Sequence, residues 1–145
     1  MTPKNVIEAF DGCMINQHPG PVRPGQLGFG GKGMFGRRVH CARLNFVRRT
    51  HRDYWTEATA QRVHPEFDEG EVIKIGRVII RQGDSTESLQ QRVLPFEHET
   101  QIHALMDVMH HCVAPVQGLE PLVRTGEEEL FEEVKREAAE VWPQG

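Results

Sequence analysis

Long apolar stretches are absent from this chain of 145 residues, and cysteine and tyrosine are scarce. No run approaches about 18 apolar residues, so the sequence predicts no membrane span and no membrane partner. The three cysteines, Cys13, Cys41 and Cys112, favour free thiols in a reducing compartment over a disulfide framework. The first residues lack the long apolar region of a secretory signal. We therefore expect a cytoplasmic or otherwise intracellular protein, with a virion as one candidate location.

The composition is that of a globular domain. Apolar residues make up 38% of the chain and charged residues 26%, which is too apolar for a disordered protein. The length predicts a single domain over residues 1–145. No internal repeat is visible in the sequence.

Acidic residues are missing between Asp11 and Asp53, where most of the basic residues of the first part of the chain lie. Residues 1–62 carry a net charge of +6 and residues 63–145 a net charge of -10. The predicted binding surface for a partner or nucleic acid consists of Lys32, Arg37, Arg38, Arg43, Arg48, Arg49, Arg52 and Trp55. The predicted acidic docking face on the last helix consists of Glu128, Glu132 and Glu133.

The first third of the chain predicts a short helix near residues 3–10, started by Thr2-Pro3 and ended by Asp11-Gly12. Residues 13–36 are rich in glycine and proline and predict an extended arm or loop. A β-rich core is expected over residues 37–94, because apolar and polar residues alternate there. Its predicted strands are 37–49, 53–63, 71–81 with a bulge at Gly76, and 88–94.

Residues 97–142 predict a helical C-terminal part with two helices. The first helix, over 98–113, carries an apolar stripe formed by Ile102, Leu105, Met106, Met109 and Val113. The second begins after Thr125, whose spacing to Glu128 matches a capping box. Strands that precede helices are typical of the α+β class. We therefore expect an antiparallel sheet of about three to five strands, a short N-terminal helix, the arm and two C-terminal helices.

The stretch GFGGKG (28–33) matches the G-x-G-x-x-G pattern of dinucleotide-binding loops. That pattern requires a preceding strand and a following helix, and PVRPGQL before it does not resemble a buried strand. The Walker pattern also fails, because Gly33 follows Lys32 where a serine or threonine is required. The stretch is therefore interpreted as part of an arm that becomes ordered against a neighbouring molecule.

Five of the histidines and cysteines cluster around residues 98–112, which raises the question of a metal site. Glu99 and His103 are four residues apart and share a helix face, so they are weak candidate ligands. His110 lies about 10.5 Å farther along the helix axis than His103, so the two histidines cannot bind the same ion. The expectation is that these histidines are solvent-exposed or packed rather than metal-bound, and no cofactor is predicted.

No motif specifies a reaction, so we expect a non-enzymatic interaction or assembly protein, such as a virion component or a protein that binds a partner machine. Its partner would be a second copy or a larger assembly, reached through the arm and the charge-split surface. One alternative is a nucleic-acid-associated protein that uses the arginine-rich segment 32–55. A second alternative is a metal-dependent enzyme with a site around 98–112.

Overall fold

The computed structural model describes residues 3–10 and 13–145, which form four helices and three strands. In chain order these are α1 (Lys4–Ala9), β1 (Ile15–His18), α2 (Arg37–Thr50), β2 (Trp55–Arg62), β3 (Val72–Ile79), α3 (Thr86–Met109) and α4 (Glu128–Val141). Thr2, Asp11 and Gly12, the expected start and end signals of the first helix, lie outside the described residues.

The strands form one antiparallel sheet in the order β1-β2-β3, which confirms the predicted α+β class. His18 of β1 pairs with Thr59 of β2, and Ala58 of β2 pairs with Gly76 of β3. The register of β2 and β3 shifts between Ala60 and Gln61, so the irregularity is not at Gly76, where we expected it. At Gly76 a Cβ atom would lie 2.7 Å from the hydroxyl of Thr100, so this glycine allows α3 to approach the sheet closely.

The prediction of a strand over 37–49 is wrong, because these residues form helix α2. This helix is buried on more than one side. Val39 and Phe46 face one core cluster, and Leu44 and Val47 face another. A helix with two buried faces has no single apolar stripe, so its sequence mimics the alternation of a strand.

The strand predicted over 88–94 is also wrong, because this segment belongs to α3. The side chains of Ser85 and Ser88 each accept a hydrogen bond from the other's backbone N–H and so start the helix. Pro95 lies inside the helix rather than at its end.

The apolar stripe expected on the second half of α3 is exposed except for Val113, which lies beyond the helix and packs partly buried against a core cluster. The helix instead buries Leu89, Val93, Thr100 and Ala104. At 24 residues α3 is the longest helix of the described chain. Even so, no helix within residues 3–10 and 13–145 combines the length and apolar character needed to cross a bilayer.

The glycine- and proline-rich segment 13–36 is folded onto the body of the same molecule. Phe29 is fully buried and packs edge-on against Phe46 of α2 and Phe131 of α4, with ring centroids 5.6 and 5.2 Å away. Met34 is buried in the same cluster. Segment 13–36 therefore forms part of the core that joins α2 to α4.

A buried ion pair attaches this segment to the sheet. The guanidinium of Arg23 donates two hydrogen bonds to the carboxylate of Glu57 on β2, at 2.9 and 3.3 Å, and both side chains are shielded from solvent. Arg23 also donates to the backbone carbonyls of Val22 and Glu120. Arg77 on β3 donates a third hydrogen bond to Glu57. The polar atoms of the pair are thus satisfied without water.

Replacing Glu57 with glutamine is expected to lower the free energy of unfolding by about 3–5 kcal/mol, because the charge of Arg23 stays buried without its counterion. Glu71→Gln is the matched control, since Glu71 is exposed and pairs with Arg62 at 3.3 Å, and such surface pairs contribute about 0–1 kcal/mol. Urea unfolding followed by circular dichroism measures both variants. Equal effects of the two substitutions would contradict this role of the buried pair.

Candidate functional site

Strand β1 presents two polar side chains on one face of the sheet. Asn16 and His18 are two residues apart on the strand and therefore lie on the same side. Gln61 of β2 is paired with Asn16 and shares that side. Asn16 is exposed and His18 is buried, so together they span the distance from the surface to the interior.

Asp68, in the loop between β2 and β3, completes the cluster. One carboxylate oxygen, Oδ2, lies 3.5 Å from Nδ1 of His18. The other, Oδ1, accepts a hydrogen bond from the Gln61 side chain at 2.6 Å and lies 3.5 Å from Nδ2 of Asn16. The backbone of Asp68 has a φ of 57°, in the left-handed region that a non-glycine residue occupies when its surroundings hold it there.

The glycine-rich stretch 28–33 supplies the backbone that closes the cluster. The N–H of Gly31 donates to Oδ2 of Asp68 at 2.8 Å, and the carbonyl of Phe29 lies 2.9 Å from Nε2 of His18. A Cβ atom on Gly30 would lie 2.7 Å from the Cβ of Asp68. The glycines therefore allow the backbone to approach the aspartate.

The ring of His18 has an oxygen at each nitrogen, and neither oxygen belongs to a group that donates a hydrogen bond when Asp68 is ionised. A neutral imidazole carries one proton and can bond only one of the two, whereas the protonated ring bonds both. Burial is the larger influence and lowers the pKa of His18, while Asp68 and the Phe29 carbonyl oppose that shift. The opposed influences suit a ring that takes up and releases a proton.

Three adjoining surface clefts meet at this cluster. One of about 230 Å³ is lined by Asn16, His18 and Asp68 together with Gly31 and Phe67. Two neighbouring clefts, of about 220 and 180 Å³, also include Asp68 in their walls. The carboxylate is therefore reachable from solvent on several sides, although its histidine partner is buried.

His40 of α2 lies behind the cluster and is 1% exposed. Its Nδ1 atom has no hydrogen-bond partner among the described residues. Burial, and to a smaller extent the charge of His18, lower the pKa of His40 to about 4. His40 is consequently neutral in the folded protein at physiological pH.

The predicted basic surface divides between external and internal positions. Arg49 pairs with Glu133 and Glu137 of α4, at 3.2 and 2.6 Å, and Arg52 pairs with Glu127. The basic α2 and the acidic α4 are therefore joined by ion pairs within one molecule. These contacts involve Glu133 of the predicted acidic face, whereas Glu128 and Glu132 are exposed.

Arg43 is fully buried and cannot contact a partner directly. Its guanidinium donates to the backbone carbonyls of Asp53 and Trp55, both at 2.9 Å, and lies over the rings of Trp55 and Phe29. Burial lowers the pKa of Arg43 to about 9, so the side chain is still charged at neutral pH.

The other predicted cations are distributed over different contacts. Lys32 is exposed. Arg37 bonds the side chain of Gln90, Arg38 the carbonyl of Trp142, and Arg48 the carbonyl of Asp84. The two candidate metal ligands, Glu99 and His103, are exposed on α3. Among the described residues, no three metal-ligating side chains come together.

Sequence reasoning missed Asn16, His18 and Asp68. The available signal was the alternation of Asn16 and His18 on one strand face, directly before the glycine-rich stretch. Asp68 lies between the predicted strands 53–63 and 71–81, in a stretch for which no function was predicted. The partners come from positions as far apart as 18 and 68, and only folding brings them together.

No protein-family model matches the chain. Two curated proteins are similar to it. The chain is 30% identical to the chloroplastic phosphoribosylglycinamide formyltransferase of Arabidopsis thaliana over 105 residues, which are 72% of this chain and 33% of that protein. It is 26% identical to the same enzyme of Vigna unguiculata over 127 residues, which are 88% of this chain and 38% of that protein. The chain thus spans little more than a third of the length of these relatives.

Two solved structures share the fold. Phosphoribosylglycinamide formyltransferase from Anaplasma phagocytophilum has a TM-score of 0.59 at 19% identity, covering 83% of this chain and 55% of that chain. The second is the formyltransferase PseJ from Anoxybacillus kamchatkensis, in complex with UDP-4,6-dideoxy-4-formamido-L-AltNAc and tetrahydrofolate. It has a TM-score of 0.60 at 14% identity, and the match covers 91% of this chain and 64% of that chain.

These likenesses contradict the prediction of a non-enzymatic assembly or virion protein. Both the curated relatives and the solved structures are formyltransferases, so the comparisons indicate an enzyme. The inference failed because the side chains of the candidate cluster are few and far apart in the sequence, whereas the charge split is conspicuous and is partly neutralised inside the molecule.

The pH dependence of stability tests the burial of His40. In the unfolded chain His40 takes up a proton near pH 6.5, but in the folded protein only near pH 4. The unfolded state therefore binds more protons between these values, and stability falls as the pH drops through this window, by roughly 3 kcal/mol from this residue. His40→Gln is expected to reduce the slope of unfolding free energy against pH between 6.5 and 4.5.

Urea titrations at pH 7.0, 6.0, 5.0 and 4.5 measure that slope for the wild type and the variant. His51→Gln is the matched control, because His51 is exposed and its loss should leave the slope unchanged. Part of the slope is expected to remain in His40→Gln, since burial also lowers the pKa of His18. A variant slope equal to that of the wild type would mean that His40 is not buried as described.

Proposed function

We propose that this chain is a formyltransferase domain that transfers a formyl group to an amine, with His18, Asp68 and Asn16 as its reacting side chains. The observation that carries the proposal is the contact between the His18 ring and the Asp68 carboxylate at 3.5 Å, beside the exposed amide of Asn16 and open to shared clefts. The formyltransferase relatives and the shared fold support the same reaction class.

Formyl transfer makes three demands on a protein. The attacking amine must lose a proton, the leaving nitrogen must gain one, and the formyl oxygen must be stabilised as negative charge develops on it. One acid–base group can meet the first two demands if it returns the proton it has taken. A hydrogen-bond donor that is fixed in place before the reaction meets the third.

The pair of His18 and Asp68 serves as the acid–base group. One proton fits between Nδ1 of His18 and Oδ2 of Asp68, and the opposed influences on the pKa of His18 make that proton exchangeable. Asp68 is fixed by the Gly31 N–H and the Gln61 amide, so it orients the ring and stabilises the imidazolium. The pair takes the proton of the amine and returns it to the leaving nitrogen.

Asn16 serves as the donor for the formyl oxygen. Its Nδ2 group carries two hydrogens, and its one described contact, to Asp68, is long at 3.5 Å. The side chain is exposed at the same cleft as His18 and Asp68. It can therefore turn one N–H toward a substrate oxygen while the other stays near the carboxylate.

A formylated tetrahydrofolate is the proposed donor, and it supplies the formyl group. The PseJ structure contains tetrahydrofolate and a formamido sugar, the two products expected when a formyl group moves from a folate nitrogen to an amino sugar. The curated relatives are named for phosphoribosylglycinamide, a primary amine. The proposed acceptor of this chain is accordingly a primary amine, with phosphoribosylglycinamide as the first compound to test.

The assay combines the purified chain with formyltetrahydrofolate and phosphoribosylglycinamide and follows the release of tetrahydrofolate by absorbance. His18→Asn and Asp68→Asn are expected to slow turnover by about 100-fold or more, the usual contribution of a positioned acid–base group. His103→Asn is the matched control, because His103 is exposed on α3 and lines none of the three clefts at the cluster, and it should retain the wild-type rate.

The pH profile separates an orienting aspartate from a merely structural one. Asp68 raises the pKa of His18, so Asp68→Asn should shift the acid limb of the remaining activity to lower pH. Absence of transfer by the folded wild-type chain, or full activity in His18→Asn, would refute the proposed function.

A further inference from the structure

β3 is an outer strand of the sheet, and one of its edges faces away from β2. The N–H of Ile80 donates to Tyr54 on the β2 side, whereas the carbonyl of Ile79 accepts from Arg92 on the opposite side. Because the backbone groups of successive strand residues alternate in direction, those of Ile75, Arg77 and Ile79 point outward.

The molecule covers the two ends of this edge and leaves its centre open. At one end the N–H of Val116 donates to the carbonyl of Val72, at 2.8 Å. At the other end the guanidinium of Arg92 donates to the carbonyl of Ile79, at 2.7 Å. Within residues 3–10 and 13–145 no strand pairs with the edge between them. Unpaired strand edges are templates for an added strand.

A groove runs beside the open edge, between β3 and α3. This cleft of about 300 Å³ is lined by Val78, Ile79 and Phe96 and by three arginines, Arg77, Arg81 and Arg92. Ile79 is 64% exposed and Phe96 is 38% exposed. The groove thus offers apolar contact surface together with cationic side chains, next to free backbone groups.

The arginines of the groove exceed the carboxylates that neutralise them. Arg77 shares Glu57 with the buried Arg23, and Arg92 pairs with Asp84. The guanidinium of Arg81 makes no described ion pair or hydrogen bond. Three groove arginines therefore face two carboxylates, one of which, Glu57, is shared with Arg23, so Arg81 leaves an excess of positive charge at the groove.

We propose that the groove between β3 and α3 binds an extended acidic segment of another protein, which adds to the sheet as a fourth strand. Main-chain hydrogen bonds to Ile75 and Arg77 and to the N–H of Ile79 would supply affinity, and acidic side chains meeting Arg77 and Arg81 would supply selectivity. A second copy of this chain is a poorer occupant. Symmetric pairing of two β3 edges would bring the same arginines of both copies together.

The binding test uses a fluorescein-labelled peptide of four Glu-Val repeats and the full chain, followed by fluorescence anisotropy at low and physiological salt. Binding is expected to weaken as salt rises, because part of the attraction is between exposed charges. Arg81→Glu should weaken binding by about tenfold or more. Lys32→Glu is the matched control, since Lys32 is an exposed cation elsewhere on the molecule.

Two comparison peptides and one spectrum distinguish strand addition from other modes. A peptide of Lys-Val repeats should not bind, and the Glu-Val peptide N-methylated at alternate residues should bind far more weakly. In a two-dimensional amide NMR spectrum, the Glu-Val peptide should shift the signals of Ile75, Arg77 and Ile79 most strongly.

Several results would overturn the proposal. These are equal binding of the Glu-Val and Lys-Val peptides, wild-type affinity in Arg81→Glu, or shifts confined to residues outside β3 and α3. A dimer in sedimentation experiments that Arg81→Glu disrupts would assign the groove to a second copy instead. Tight binding of a single-stranded RNA oligomer at the same residues, without binding of the Glu-Val peptide, would assign it to nucleic acid.

Discussion

The buried ion pair between Arg23 and Glu57 is the contact on which the placement of segment 13–36 and of the candidate site depends. It connects a glycine- and proline-rich segment, which has little structure of its own, to the middle strand of the sheet. A buried pair tolerates little misplacement, because each charge loses its hydration and must keep its partner. The position of the segment that follows Arg23 is therefore fixed. Phe29 packs in the aromatic core, and the N–H of Gly31 bonds to Asp68.

The candidate site depends on that placement. Its ring and carboxylate come from β1 and from the loop after β2. Besides the Gln61 amide of β2, the groups that fix them belong to the anchored segment: the Phe29 carbonyl and the Gly31 N–H. The glycines matter because they carry no side chain at the point of closest approach. The stretch that resembles a phosphate-binding loop thus binds a carboxylate of its own chain.

The charge split along the sequence is explained by contacts within the molecule, because its basic and acidic parts pack against each other. Basic α2 and acidic α4 pack against each other, and Arg49 and Arg52 meet glutamates there. Arg43 is buried among aromatic rings and backbone carbonyls. What looks like an external docking surface in the sequence is in part an internal interface, while the arginines that leave an excess of positive charge line the groove between β3 and α3, outside the basic segment.

The sequence alone determined the α+β class, the short first helix, the strands β2 and β3 and the last helix, because the local spacing of apolar residues specifies these elements. The capping box expected at Thr125 does not form, since Glu127 precedes α4 without a side-chain cap. It did not determine α2 or the first half of α3, since a helix buried on two sides has no single apolar stripe and Pro95 resembles a helix end. Tertiary structure alone decided the site. Asn16, His18 and Asp68 become neighbours only when β1 pairs with β2 and the glycine-rich segment folds over them, and this proximity leaves no local pattern in the sequence.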